Sequence, residues 1–271
     1  MSDSLPVLGA ALKVADLPAR AAWLLADQRD LEIQDPCRRA FLESDWHPLA
    51  AQARTVLNGY TGRLGVHAPY AGMACNCPDK RIAGVIRDRL RESLDFTAAL
   101  GGSHLVLHSP FEFYGTAQAV HRGADLARTI DLARENLAPV VEQAAAQQCV
   151  LVFENTFDLR PEPLDALVRS FESRWVRRSL DTGHANLMRA RGAPPADVWA
   201  DVAGELLAHV HLDDNDGESD RHWAVGEGTI AWTAMFRALA RLPARPRLIL
   251  EMPPEKLDPS LAWLAARGLA R

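Results

Sequence analysis

Residues 129–154, TIDLARENLAPVVEQAAAQQCVLVFE, change period partway along. As far as Gln148 the apolar residues recur every three or four positions, the spacing of a helix with one buried face. From Cys149 to Phe153 the chain is continuously apolar over a strand's length, and it then stops on one carboxylate, Glu154. A helix running straight into a fully buried strand is the building block of a parallel sheet, whose strands need helical crossovers.

The same unit recurs on both sides. Candidate strands are VLGAALK (7–13), LEI (31–33), RLGVH (63–67), HLVLH (104–108), CVLVFE (149–154), RRSLD (177–181), LAHVH (207–211) and RLILE (247–251). Helical spacing fills the intervals, as in RIAGVIRDRLRESLDFTAALGG (81–102), whose closing glycines suit a helix C-cap. Eight strands, each followed by a helix, in a chain close to the ~250 residues usual for the fold, predict an α/β chain folded as a (β/α)8 TIM barrel. An open dinucleotide-binding sheet is disfavoured, because no GxGxxG follows an early strand. No repeat or low-complexity linker divides the chain, and the proline-rich pieces RPEP, APPAD and EMPPEK fall where loops belong, so one domain over residues 1–271 is expected.

Composition narrows the class. Of 271 residues, 48% are hydrophobic and 24% charged, enough for a large core and too mixed for a disordered chain. No run approaches the ~18 apolar residues of a membrane span, and MSDSLPVLG lacks the regions of a signal peptide, so a cytoplasmic protein is expected. Four cysteines (Cys37, Cys75, Cys77, Cys149) are too few for a disulfide framework; Cys75 and Cys77 read as incidental loop thiols rather than half a metal site. A net charge of −5 argues against indiscriminate polyanion binding.

A barrel gathers its chemistry at the C-terminal ends of its strands. Those ends are His67, His108, Glu154, Asp181, His211 and Glu251: six successive strands that close on a metal-capable side chain. Converging on one rim, such groups would be buried without compensation unless they shared a cation. His184, three residues after Asp181, and the pair Asp220 and His222 extend the set. These are nitrogen and oxygen ligands, suited to Zn²⁺, Mn²⁺, Co²⁺ or Fe²⁺, with one to three divalent ions per chain.

In order, VHAPY, LVLHS, VFENT, LDTGHAN, HVHLDDNDG, SDRHWAVGEGTI and ILEMP resemble the xylose-isomerase-like barrel superfamily. That group joins sugar phosphate isomerases and epimerases with endonuclease IV-type enzymes that act on abasic DNA; the resemblance runs from about residue 63 to 253. It implies one metal site at Glu154, Asp181, His211 and Glu251. It also implies a second at His67 and His108 bridged by Glu154, and a third at His184, Asp220 and His222.

Several residues carry plainer expectations. His104 and His209, deeper in their strands, are read as hydrogen-bonded packing residues, and His47 and His121 as helix-start or loop positions. Asp213, Asp214 and Asp216 are read as solvated turn formers before Gly217. Gly226 and Gly228 shape either an anion-binding turn at a helix start or an ordinary one. Tyr70 covers the rim or stacks on a substrate, while His67, His108 and His184 either bind further metal or hydrogen-bond substrate hydroxyls. Trp223 and Trp232, taken as exposed, fit a homodimer contact or a pocket wall.

Two chemistries fit. A metal-dependent isomerase or epimerase, or a related enolate-forming lyase, would act on a sugar, sugar phosphate or polyol-derived ketone, with Glu154 and Glu251 as acid and base on opposite faces of one carbon. The alternative is a phosphodiesterase acting on abasic DNA. It is disfavoured because QDPCRRAFLESDW, after the second strand, offers only Arg38 and Arg39, and the rim loops supply no stripe of cations for phosphates. A small carbohydrate is therefore the expected partner, nucleic acid a weaker one, and a membrane none.

Overall fold

The structure, a computed structural model, describes residues 5–111 and 124–271. His121 lies outside them. The strands are β1 (Gly9–Leu12), β2 (Leu31–Ile33), β3 (Leu64–His67), β4 (His104–His108), β5 (Val150–Glu154), β6 (Val176–Asp181), β7 (Leu207–Leu212) and β8 (Arg247–Leu250). Each pairs in parallel with the next, and β8 returns to β1, so the sheet is a closed barrel, a single-domain TIM barrel. All eight expected strands are present, each with its ends within two residues of the expected bounds.

Alternation along the strands sorts the interior into two chemistries. Leu12, Ile33, Val66, Leu105, Phe153, Leu180, Val210 and Leu250 point outward and join the continuous hydrophobic core under the helices. The other parity carries Glu32, His67, His104, Glu154, Asp181, His209 and His211, all buried and all inside the barrel. Arg178 breaks the rule. It faces outward at zero exposure, its Nη1 bonded to the Pro161 carbonyl at 3.0 Å and to Asp165, with the Trp199 ring 5.9 Å away.

Local signals fix the helices. Asp79 caps Lys80–Ala99 by accepting the N–H groups of Arg81 and Ile82 at 2.8 and 3.2 Å. The helix ends before Gly101, whose φ of +73° suits glycine. Ala124–Ala146 runs on through Pro139 and delivers the chain into β5, as the change of period predicts. Among the described residues no helix is long and apolar enough to cross a membrane.

Register then aligns the polar residues. His108 pairs with Glu154, and Asp181 with His211. A shift between Arg178 and Ser179 restores the β6–β7 alignment just below the mouth, a usual place for a bulge that re-aims side chains.

Candidate metal centre at the barrel mouth

All six strand-end residues meet at the C-terminal mouth. His211 Nδ1 stands 3.1 Å from Glu154 Oε2, 3.1 Å from Glu251 Oε2 and 3.7 Å from Asp181 Oδ2. His67 Nε2 and His108 Nε2 approach Glu154 at 3.6 and 3.9 Å, and His184 Nδ1 approaches its other face at 3.2 Å. Glu154, Asp181 and His211 could hold one ion, and His67, His108 and Glu154 another. Spacings of this size are those of ligands sharing an ion at about 2.0–2.2 Å.

Backbone and side-chain partners set which ring nitrogen faces inward. His67 Nδ1 bonds the Ala68 carbonyl at 2.7 Å and His222 Nδ1 the Glu251 carbonyl at 2.8 Å, which leaves each Nε2 for the centre. His184 Nδ1 bonds the Asn155 carbonyl at 3.0 Å, and its Nε2 faces Asp220 Oδ2 at 3.4 Å, as does His222 Nε2. His211 is turned the other way. Its Nε2 bonds both Glu32 oxygens at 3.1 Å and presents Nδ1 to the mouth, the carboxylate–histidine arrangement that orients metal ligands.

What remains unpaired is informative. Glu154 Oε2, Asp181 Oδ2, His211 Nδ1 and Asp213 Oδ2 are buried with no hydrogen bond. At about 1–3 kcal/mol for each unsatisfied group, four of them take a large share of a typical stability of about 5–15 kcal/mol. Asp181 shows how selective the pattern is: Oδ1 accepts the His184 N–H at 2.6 Å, while Oδ2 points inward with nothing to accept. The donor set therefore fits a divalent cation.

The charge states are consistent with shared protons in place of an ion. Burial, then the nearby Glu154 and Glu251 carboxylates, push Asp181 up to about 7, with His184 and His211 opposing. Burial pushes Glu154 up too, but His211, His184 and His67 outweigh it and hold the group well below the usual range. Burial disfavours the charged His211 ring; Glu251, Glu32 and Glu154 overcome that and raise it. His222 is likewise raised to about 11, against burial, by Asp220, Glu251 and Asp213.

The acidic run after β7 corrects two expectations. Asp213 and Asp214 are fully buried, not solvated; only Asp216 is a partly exposed turn former, accepting the Glu218 N–H at 2.9 Å. Asp213 Oδ1 accepts the Gly183 N–H at 3.0 Å, and a Cβ on Gly183 would lie 2.2 Å from Asp213 Oδ2, so the glycine makes its room. Asp213 also joins Asp220 and His222 as a metal-capable group. Asp214 accepts from Gly226 N at 2.9 Å and Trp232 Nε1 at 2.8 Å, so the anion at the glycine turn is the chain's own carboxylate. Trp232 is accordingly buried, and Trp223 is half-buried under Arg221.

Other placements follow expectation. Tyr70 is half exposed at the rim, its ring stacked on His108 at 5.0 Å. His47 opens the exposed start of His47–Val56. His209 is buried and bonds Ser179 Oγ at 2.9 Å, but His104, also buried, has neither ring nitrogen bonded, contrary to its expected packing role. The four cysteines are free thiols. Sequence reading passed over Glu32 and Gln34; the latter's Nε2 donates to Glu251 Oε1 at 2.5 Å. A charged residue between Leu31 and Ile33 in a barrel strand was the available signal for Glu32.

Comparison with known proteins agrees with this architecture. The chain is 28% identical to the TTHB071 protein of Thermus thermophilus, solved from a crystal soaked with zinc chloride, over 96% of both chains at a TM-score of 0.75. A D-tagatose 3-epimerase-like protein superposes with the same TM-score over 96% of both chains at 19% identity. The uncharacterized protein MJ1311 of Methanocaldococcus jannaschii is 23% identical over 68% of this chain, which spans about three fifths (62%) of that relative's length. A family model described as xylose isomerase-like TIM barrel matches residues 31–267, and this chain belongs to that family.

Proposed function

We propose that this chain is a metal-dependent isomerase or epimerase acting on a carbohydrate ketone. The carrying observation is the pair Glu154 and Glu251, which arrive from β5 and from the end of β8 and each place one oxygen 3.1 Å from the same nitrogen, His211 Nδ1. Two carboxylates that meet at one locus could remove a proton from one face of a bound carbon and return it to the other, which is what inversion requires. Several sugar epimerases share the fold, among them D-psicose 3-epimerase and L-ribulose 3-epimerase, in support of this class.

Glu154, Asp181, His211 and Glu251 would hold the ion. A divalent cation there supplies Lewis acidity, polarising a substrate carbonyl so that the adjacent C–H is more easily deprotonated. The chain's own groups do the rest. Gln34 fixes Glu251 Oε1, which leaves Oε2 for the reacting side. Glu154, buried among His67, His184 and His211, stays ionised and ready to accept a proton. His108 and the Tyr70 ring stacked on it form a wall for a sugar's hydroxyl and apolar faces.

The test is proton exchange. The full chain loaded with Mn²⁺ or Co²⁺ is incubated in D₂O with a panel of free ketohexoses and followed by proton NMR. Deuterium entering at the carbon next to the carbonyl, and lost in Glu251→Gln, is the expected result; no exchange with any ketose contradicts the reading.

One observation favours a second reading. His184 and His222 both place Nε2 3.4 Å from Asp220 Oδ2, so a third metal-capable group stands beside the first two, as a metal-clustered phosphodiesterase would need. Nicking of an abasic-site oligonucleotide that disappears in Glu154→Gln would select it.

A further inference from the structure

Below the mouth, the barrel holds a second set of metal-capable side chains, joined to the first through Glu32, whose two oxygens also bond His211 Nε2 at 3.1 Å. Glu32 lies mid-β2, His104 begins β4, and His209 stands two residues before His211 on β7. All three have zero exposure, and one ligand atom from each lies within 4.8 Å of the other two. The rings of His104 and His209 are 5.1 Å apart.

The unpaired atoms repeat the pattern of the mouth. His209 Nδ1 bonds Ser179 Oγ at 2.9 Å, which directs Nε2 toward Glu32 Oε2 at 3.0 Å. That contact is close, but His209 Nε2 makes no aligned hydrogen bond in it. Neither nitrogen of His104 has one either. An apolar side chain would fill that place without penalty, as Val106, Val152 and Ile249 do on the same inward parity of their strands. The neighbours also make room for polar groups. Ala11 and Gly65 flank Glu32 in register, and a Cβ on Gly65 would lie 2.0 Å from His104 Nε2.

We propose that Glu32, His104 and His209 form an enclosed transition-metal site inside the barrel, distinct from the mouth and structural in role. Two imidazole nitrogens and one carboxylate suit Zn²⁺ or Co²⁺. A donor set with two imidazoles disfavours Mg²⁺ and Ca²⁺, which take oxygen ligands. With its three ligands sealed from solvent, the site takes up its ion as the chain folds and keeps it when the more open mouth is stripped.

The test uses the full chain expressed with added zinc and dialysed against EDTA under native conditions. Mass spectrometric metal analysis should find about one equivalent of zinc per chain retained, released only when guanidinium unfolds the protein in EDTA. Anomalous diffraction at the zinc edge should place it among Glu32, His104 and His209. His104→Gln should lower retained zinc at least about tenfold, whereas Asp181→Asn at the mouth should leave it. Retention below about a tenth of an equivalent in the native chain, a retained ion located at the mouth, or solvent density alone between the three side chains would overturn the proposal; these arms hold whether or not His104→Gln folds.

Discussion

The two ends of the barrel treat charge in opposite ways. At the N-terminal base, Arg63 grips Asp30 through two hydrogen bonds of 2.8 and 2.6 Å and reaches the Arg245 and Pro246 carbonyls. Arg29 donates to the carbonyls of Leu8 and Arg271 and to Asp27. At the mouth, Glu154, Asp181, Asp213 and His211 each keep a buried atom with nothing to bond. The base uses its charges to hold strands and termini together, while the mouth gathers buried polar atoms that make no hydrogen bond. Size does not track this division: a cavity of about 1160 Å³ opens at the base, lined by Phe236, Leu239 and Leu248 beside Arg63.

The contrast can be broken most severely at Glu154. Glu154→Gln should lower affinity for Mn²⁺ or Co²⁺ by at least about a hundredfold in chelator competition. Melting of the metal-free protein should fall as well, because His67, His184 and His211 lose the buried carboxylate that they pair with. A large fall in metal-free stability with unchanged metal affinity would make the mouth a structural feature like the base.

Gln34→Leu asks whether Glu251 must be held. With the donor to Oε1 gone, metal affinity and turnover should each fall by roughly tenfold, with melting little changed. Loss of stability alone would move Gln34 into the structural group.

Acidity sharpens the same comparison. In the metal-free fold Asp181 keeps its proton up to about 7, against an ordinary 3.8, so its contribution to stability declines as pH rises through that interval. His222, raised to about 11 from 6.5, contributes below 6.5 and loses that contribution as pH rises toward 11. A cation competes with those protons. The rise in Tm on adding Mn²⁺ should therefore be larger at pH 8 than at pH 5, by roughly 5 °C; an equal or smaller rise at pH 8 counts against shared ligands.

The smallest effect belongs to the base. Asp30→Asn weakens the pairing with Arg63 and should cost about 1–2 kcal/mol in denaturant unfolding while metal affinity stays within about twofold. A larger change in metal affinity would mean that the two ends are coupled.

Much of this was legible in the sequence because a charged residue that closes a long apolar strand is conspicuous. HLVLH, CVLVFE and RLILE mark both the strand and the polar residue that closes it, and the structure brings those ends together. Glu32 was hidden because LEI is too short to show alternation, so an inward carboxylate looks like any surface charge. Asp213 and Asp214 were misread because an acidic run before a glycine has the composition of a turn. Their burial depends on distant donors, Gly183, Gly226 and Trp232, that meet them only in the folded chain.

The account rests on a cation at the mouth. A crystal soaked in Mn²⁺ and measured for anomalous scattering tests that directly: the prediction is a peak about 2.0–2.3 Å from oxygens of Glu154, Asp181 and Glu251 and from His211 Nδ1. A fully soaked crystal with no peak there, or with those four side chains turned to separate partners, would contradict it.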